Sequence, residues 1–172
     1  MRSCLAIAVI LFLCTSPSAQ EVKTYESKAG KYKADFPKAP NVDTKKVDDG
    51  VLNIASIEYK GGGFIVIYSD LDAEKLKKSK PKEILAGGEK GLIEGFKPKI
   101  TSTKDIEFGK QKYPARQIAG EAFLAEEGIN INLRLTLILA DNRLYQVFVF
   151  GPKDLPNGKE AEKFFETFEI TK

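Results

Sequence analysis

The sequence predicts an α+β fold: an antiparallel β-sheet flanked by helices, layered as an α/β/α sandwich. Three observations carry it. From Ile129 to Leu139 apolar residues fall at every second position, with Asn130, Asn132, Arg134 and Thr136 between them, the period of a half-buried strand rather than of a helix. Asp141-Asn142 then interrupts the run, a pair that suits the positive φ of a two-residue hairpin turn. Similar apolar runs recur between Gly, Pro and Asp punctuation, while two Lys/Glu-rich stretches carry helical spacing.

The first twenty residues, MRSCLAIAVILFLCTSPSAQ, have a basic Arg2, an apolar run from Cys4 to Cys14, and small residues at Ser16, Ser18 and Ala19. These are the parts of a secretory signal peptide, and the run is shorter than the roughly 20 apolar residues of a spanning helix. Residues 1–19 are therefore expected to be removed, with cleavage after Ser18 or after Ala19. Lipidation at Cys14 is the rival processing route, disfavoured by the bulky Leu13 before it. The expected product is exported, periplasmic or extracellular, with no transmembrane span.

The mature chain starts with a strand at Tyr32–Phe36, which FPKAP ends. Strands follow at Val42–Val47 and Val51–Tyr59, joined at Asp48-Asp49-Gly50, and Gly61–Gly63 turns into the strand FIVIYS. After Asp70 the pattern becomes helical through PKEILAGGEKGLIEGF, with Ile84, Leu85, Leu92 and Phe96 as its buried residues. Gly87, Gly91 and Gly95 recur every four residues there, which predicts close approach of the helix to the sheet. Strands at Lys99–Phe108 and Ala115–Phe123 precede the long hairpin. Its return strand, Arg143–Phe150, places Tyr145, Val147 and Val149 on one face and Leu144, Phe148 and Phe150 on the other. Apolar on both faces, it is expected in the middle of the sheet. GKEAEKFFETFEITK closes the chain as a helix burying Phe164 and Phe165, then a short extended segment. Without repeats or a long linker, residues 20–172 read as one domain.

Composition excludes more chemistry than it suggests. The chain has no His, and both of its cysteines, Cys4 and Cys14, lie in the segment expected to be removed. Ser-His-Asp and Cys-His catalysis, imidazole general bases and the usual zinc sites are thereby excluded, and no disulfide holds the mature fold. Lys and Arg number 27 against 24 Asp and Glu, too even a balance to imply nucleic acid. SKPK at Ser79–Lys82 matches S-x-x-K in form only, without the companion motifs of serine-lysine enzymes. SDLDAE sets Asp70, Asp72 and Glu74 at alternate positions, but a calcium loop needs Gly and Glu where Lys75 and Pro81 stand, and Asp72 suits a helix N-cap instead. No catalytic, cofactor or metal residue is assigned. The one local charge asymmetry is EKLKKSKPKE, where Lys75, Lys77, Lys78, Lys80 and Lys82 offer a contact for an anionic partner or form a solvated connection.

GKYKADFPKAP, FGKQKYPARQIAGE, RLYQVFVFG and FFETFEI together resemble segments of the PsbP-like superfamily, which includes an extrinsic photosystem II protein and many exported bacterial proteins. The resemblance spans nearly the whole mature chain and implies a central antiparallel sheet between helical layers, with a role in binding or assembly. It supplies no catalytic residue. Bacterial relatives often have Pro-Gly where this chain has Pro114-Ala115, so a different local turn is expected there. The functional expectation is an exported, non-enzymatic binding or assembly accessory whose partner is a protein or an anionic envelope component. Two other classes stay open: an enzyme using carboxylates or lysine, and a carrier of a small apolar ligand held in a cavity behind the 129–150 hairpin.

Overall fold

The computed structural model describes residues 23–47, 50–124 and 128–172, apart from the side chains of Lys75, Leu92 and Phe96. The expected signal segment, the Asp48-Asp49 turn and the predicted burial of Leu92 and Phe96 lie outside the described residues. Seven strands form the main sheet: β3 (Asn41–Val47), β4 (Gly50–Tyr59), β5 (Gly62–Asp70), β6 (Lys99–Phe108), β7 (Tyr113–Leu124), β8 (Ile129–Ala140) and β9 (Arg143–Gly151). They lie in the order β3-β4-β5-β9-β8-β7-β6, every pair antiparallel. β9 sits in the middle, as its two apolar faces require.

On one face of this sheet Leu133, Leu135, Leu137, Leu144 and Phe148 pack with Leu85 of α2 (Pro81–Phe96). Pro81 suits the first turn of α2, where no backbone N–H is needed, and the Lys80 N–H donates to the Glu83 carboxylate at 2.9 Å. α2 stops at Lys97, in the left-handed region at φ 47. The short helix α1 (Ala73–Lys78) precedes it and adds Leu76 to the same cluster.

The opposite face corrects the expected sandwich. A second sheet, β1 (Lys23–Ser27), β2 (Tyr32–Phe36) and β10 (Glu169–Ile170) in the order β1-β2-β10, lies over it together with α3 (Lys159–Thr167). Tyr32, Ala34 and Phe36 of β2 and Ala161 and Phe164 of α3 meet Phe64, Val66, Tyr145, Val147 and Val149 of the main sheet. The architecture is thus mostly antiparallel sheet, with helices of 6, 16 and 9 residues, and a helical layer does not cover both faces. Burying a side chain of Leu, Val or Phe size contributes about 1.5–3 kcal/mol, so these two clusters hold the layers together.

Local details depart from expectation in three places. Gly87, Gly91 and Gly95 face open space rather than the sheet; Gly88 is the close-approach position, where an added Cβ would sit 3.1 Å from Leu137. Phe164 is fully buried but Phe165 is half-buried, under the guanidinium of Arg134 at 4.4 Å from the ring centre. Pro114-Ala115 is strand, not turn: the reversal lies at residues 109–112, and Ala115 pairs with Ile106 and Ile138. The β4–β5 reversal uses Lys60 (φ 48) and Gly61 (φ 74), which leaves Gly62 inside β5. A Cβ at Gly62 would lie 2.1 Å from the Phe150 carbonyl oxygen, so this crossing of β5 and β9 admits no side chain. Asp141 opens the β8–β9 turn at φ 54, as its position in the hairpin predicts.

Candidate functional site at the turn end of the sheet

The β6–β7 turn, the Asp141-Asn142 turn, the β1–β2 turn and the C-terminal residues meet at one end of the main sheet. Between them is a recess of about 270 Å³ lined by Lys31, Gln111, Tyr113, Asn142, Arg143 and Thr171 among others. Ladder geometry places it there, because β5 and β9 end together at Asp70 and Arg143. The Leu71 N–H then donates to the Asn142 carbonyl at 2.7 Å, which starts α1 at this same end.

The lysine segment runs from this point over α1 and into α2. Asp72 caps α1, its carboxylate accepting the Glu74 N–H at 2.8 Å. Lys77 reaches Glu74 at 2.9 Å and Lys82 approaches Asp105 at 3.7 Å, both as solvated surface pairs. Lys77, Lys78, Lys80 and Lys82 are all exposed; Lys75 lies on α1 with Lys77 and Lys78. The S-x-x-K pattern forms no dyad, since the Lys82 ammonium is directed to Asp105. The three carboxylates of SDLDAE are likewise apportioned: Asp70 to Arg143, Asp72 to the cap and Glu74 to Lys77. Among the described residues no three His, Cys, Asp or Glu side chains are grouped to hold a metal.

Arg143 is the anchor of the recess. Its Nε and Nη2 donate to both Asp70 oxygens at 2.6 and 2.8 Å, its Nη1 donates to the Ala29 carbonyl at 2.7 Å, and its guanidinium lies 4.6 Å from the Tyr68 ring centre. Beside it the Tyr145 hydroxyl donates to the Gly30 carbonyl at 2.8 Å, and burial raises the Tyr145 pKa. These bonds fasten the β1–β2 turn to the main sheet. A second ion pair joins α2 to the far side: Arg116, buried on β7, donates to Asp105 at 2.6 Å and Glu89 at 2.8 Å, and Thr103 donates to Glu89 at 3.1 Å. Sequence reasoning did not find Arg116 or Arg143 as anchors, although the β6–β7 hairpin register sets Asp105 directly opposite Arg116.

Hydrogen bonds from Arg143, Arg116, Lys60 and Lys33 hold Asp70, Asp105, Glu160 and Glu169 below the usual carboxylate range. A carboxylate serving as a general acid at neutral pH needs the opposite displacement. Behind the 129–150 hairpin, Thr136, Ile138 and Val147 line a space of about 50 Å³ with Phe165 and Phe168, well under the roughly 300 Å³ at which ligand pockets start. Among the described residues no helix is long and apolar enough to cross a membrane.

No family model matches the chain, and no curated protein matches it in sequence. Solved structures do. The chain is similar to the solution structure of cyanobacterial PsbP (CyanoP) from Synechocystis sp. PCC 6803, with a TM-score of 0.59 at 9% identity, over 99% of this chain and 98% of that one. It is also similar to the crystal structure of a protein of unknown function, PA94, from Pseudomonas aeruginosa, titled a putative regulator, with a TM-score of 0.51 at 13% identity over 88% and 97% of the two chains. The fold is PsbP-like.

Proposed function

We propose that this chain is an exported, non-enzymatic binding or assembly accessory that works outside the cytoplasmic membrane and meets an anionic partner at the turn end of its sheet. The observation that carries the reading is the placement of Lys77, Lys78, Lys80 and Lys82, all exposed, on α1 and the start of α2, beside the turn that also borders the recess with Lys31 and Lys172. Cations gathered at one end of a nearly neutral chain attract an anionic surface without a strong long-range field. The tight pairing of Asp70 and Asp105 with arginines supports a binding role over carboxylate catalysis.

Vesicle flotation tests this. Anionic vesicles should carry the protein up the gradient at low salt, neutral vesicles should not, and binding should fall steeply as the Debye length shrinks from about 30 Å at 0.01 M salt to about 8 Å at physiological ionic strength. Replacing Lys77, Lys78 and Lys80 with Glu should abolish it. Equal binding by parent and triple variant, or none by either to vesicles or to acidic proteins of an envelope extract, returns the segment to a solvated connection.

A further inference from the structure

Among the described residues the main sheet ends in two edge strands without a further neighbour, β3 and β6, and they differ. β6 is interrupted by a register shift between Ile100 and Ser102, a device that blunts an edge. β3 keeps an unbroken register with β4 from Asn41 to Val47, and all seven of its residues are exposed. Val42 is 62% exposed and Val47 39%.

Which backbone groups β3 offers follows from the ladder. The two-residue Lys60-Gly61 turn makes Tyr59 and Gly62 a hydrogen-bonded pair, and alternation then directs the N–H and C=O of Asn53 and Ala55 to β5 and those of Leu52, Ile54 and Ser56 to β3. Their partners Lys45, Asp43 and Asn41 point inward, so Val42, Thr44 and Lys46 present their N–H and C=O groups outward. The Thr44 N–H confirms the direction: it donates at 2.7 Å to the side chain of Asp43, not into the ladder.

We infer that β3 is the surface by which a second copy of this chain adds to the sheet, antiparallel, about a two-fold axis through Thr44. In that register Thr44 faces Thr44 of the second copy, Val42 faces Lys46, and Asp43 faces Lys45, the last two twice each by symmetry. The outward groups of Val42, Thr44 and Lys46 then bond one another, and each Asp43 carboxylate releases its own Thr44 N–H to meet an opposing ammonium. Sliding the axis by one residue opposes Lys45 to Lys45 or Asp43 to Asp43, and like charges directly opposite destabilise a pair. Charge therefore selects the Thr44 register, and Val42 is sheltered against the aliphatic stem of Lys46. A single strand edge covers less than the roughly 1,200 Å² of a stable interface, so the dimer forms at high protein concentration.

Sedimentation of the purified protein over a concentration series decides it. The parent should dimerise with a dissociation constant of about 1 mM or tighter. Asp43→Lys and Lys45→Asp should each be monomeric, since each opposes like charges twice, whereas an equimolar mixture of the two should form a heterodimer of opposite charges. Thr44→Pro should be monomeric at unchanged thermal midpoint, because the N–H it removes lies outside the β3–β4 ladder. A parent that stays monomeric to about 1 mM, a dimer that survives Thr44→Pro, or a mixture that fails to associate overturns the inference.

Discussion

Leu135 is 1% exposed on the sheet face beneath α2, between Leu133 and Leu137. Leu135→Asp buries an unpaired carboxylate there and is expected to cost about 4 kcal/mol or more, read as loss of the cooperative unfolding transition in denaturant. A normally stable variant would mean the strand face is misassigned. Tyr145→Phe keeps the ring and removes the hydroxyl bonded to Gly30, leaving that carbonyl short of a donor; a loss of about 1 kcal/mol is expected in the same measurement. Asp70 carries a pH dependence. Arg143 holds its folded pKa below the ordinary value near 3.9, so its contribution is complete above that value and is lost as pH falls through the depressed folded one. In Asp70→Asn the thermal midpoint should be lower than the parent's at neutral pH and should fall less on acidification. An identical acid limb in both proteins would remove the pair from the stability of the molecule.

At the scale of elements, the strands were legible where one face is apolar and the other polar, as in β8, whose Leu133, Leu135 and Leu137 alternate with Asn132, Arg134 and Thr136. β1 was not, because KTYES is short and mostly exposed; β10 was legible only as a short extended segment after the last helix, without its place in a sheet. Their partner is β2, reached across more than a hundred residues in the case of Glu169 and Lys33, and no local period records that. The glycine reading failed for a related reason: spacing along α2 says which residues share a stripe, not which stripe faces Leu137. Gly62 makes a sharper case. Gly62→Ala is expected to be severely destabilising, since the new Cβ meets the Phe150 carbonyl at 2.1 Å, whereas Gly87→Ala meets nothing and should raise stability by up to about 1 kcal/mol through helix propensity. Thermal unfolding of the two variants side by side tests both.

For the whole molecule, residues 20–172 contain no cysteine, so the layers hold by packing alone; the thermal midpoint of a chain beginning at residue 20 should be the same with and without reductant, and a shift would overturn that reading. The sequence by itself determined the strands of the main sheet, the central place of β9, the helical stretches and the absence of imidazole chemistry, because each of these is written in residue type or in a period of two or 3.6. It also marked the lysine segment, though not its neighbours. Only the tertiary structure decided that a small sheet with α3, rather than a helical layer, covers the second face. Burial of apolar surface is non-directional, so Phe64, Val66 and Val147 require a cover without stating what supplies it. The arginine anchors are tertiary for a different reason. Asp70 and Arg143 are far apart in the chain, and nothing but the β5–β9 register sets their charges side by side.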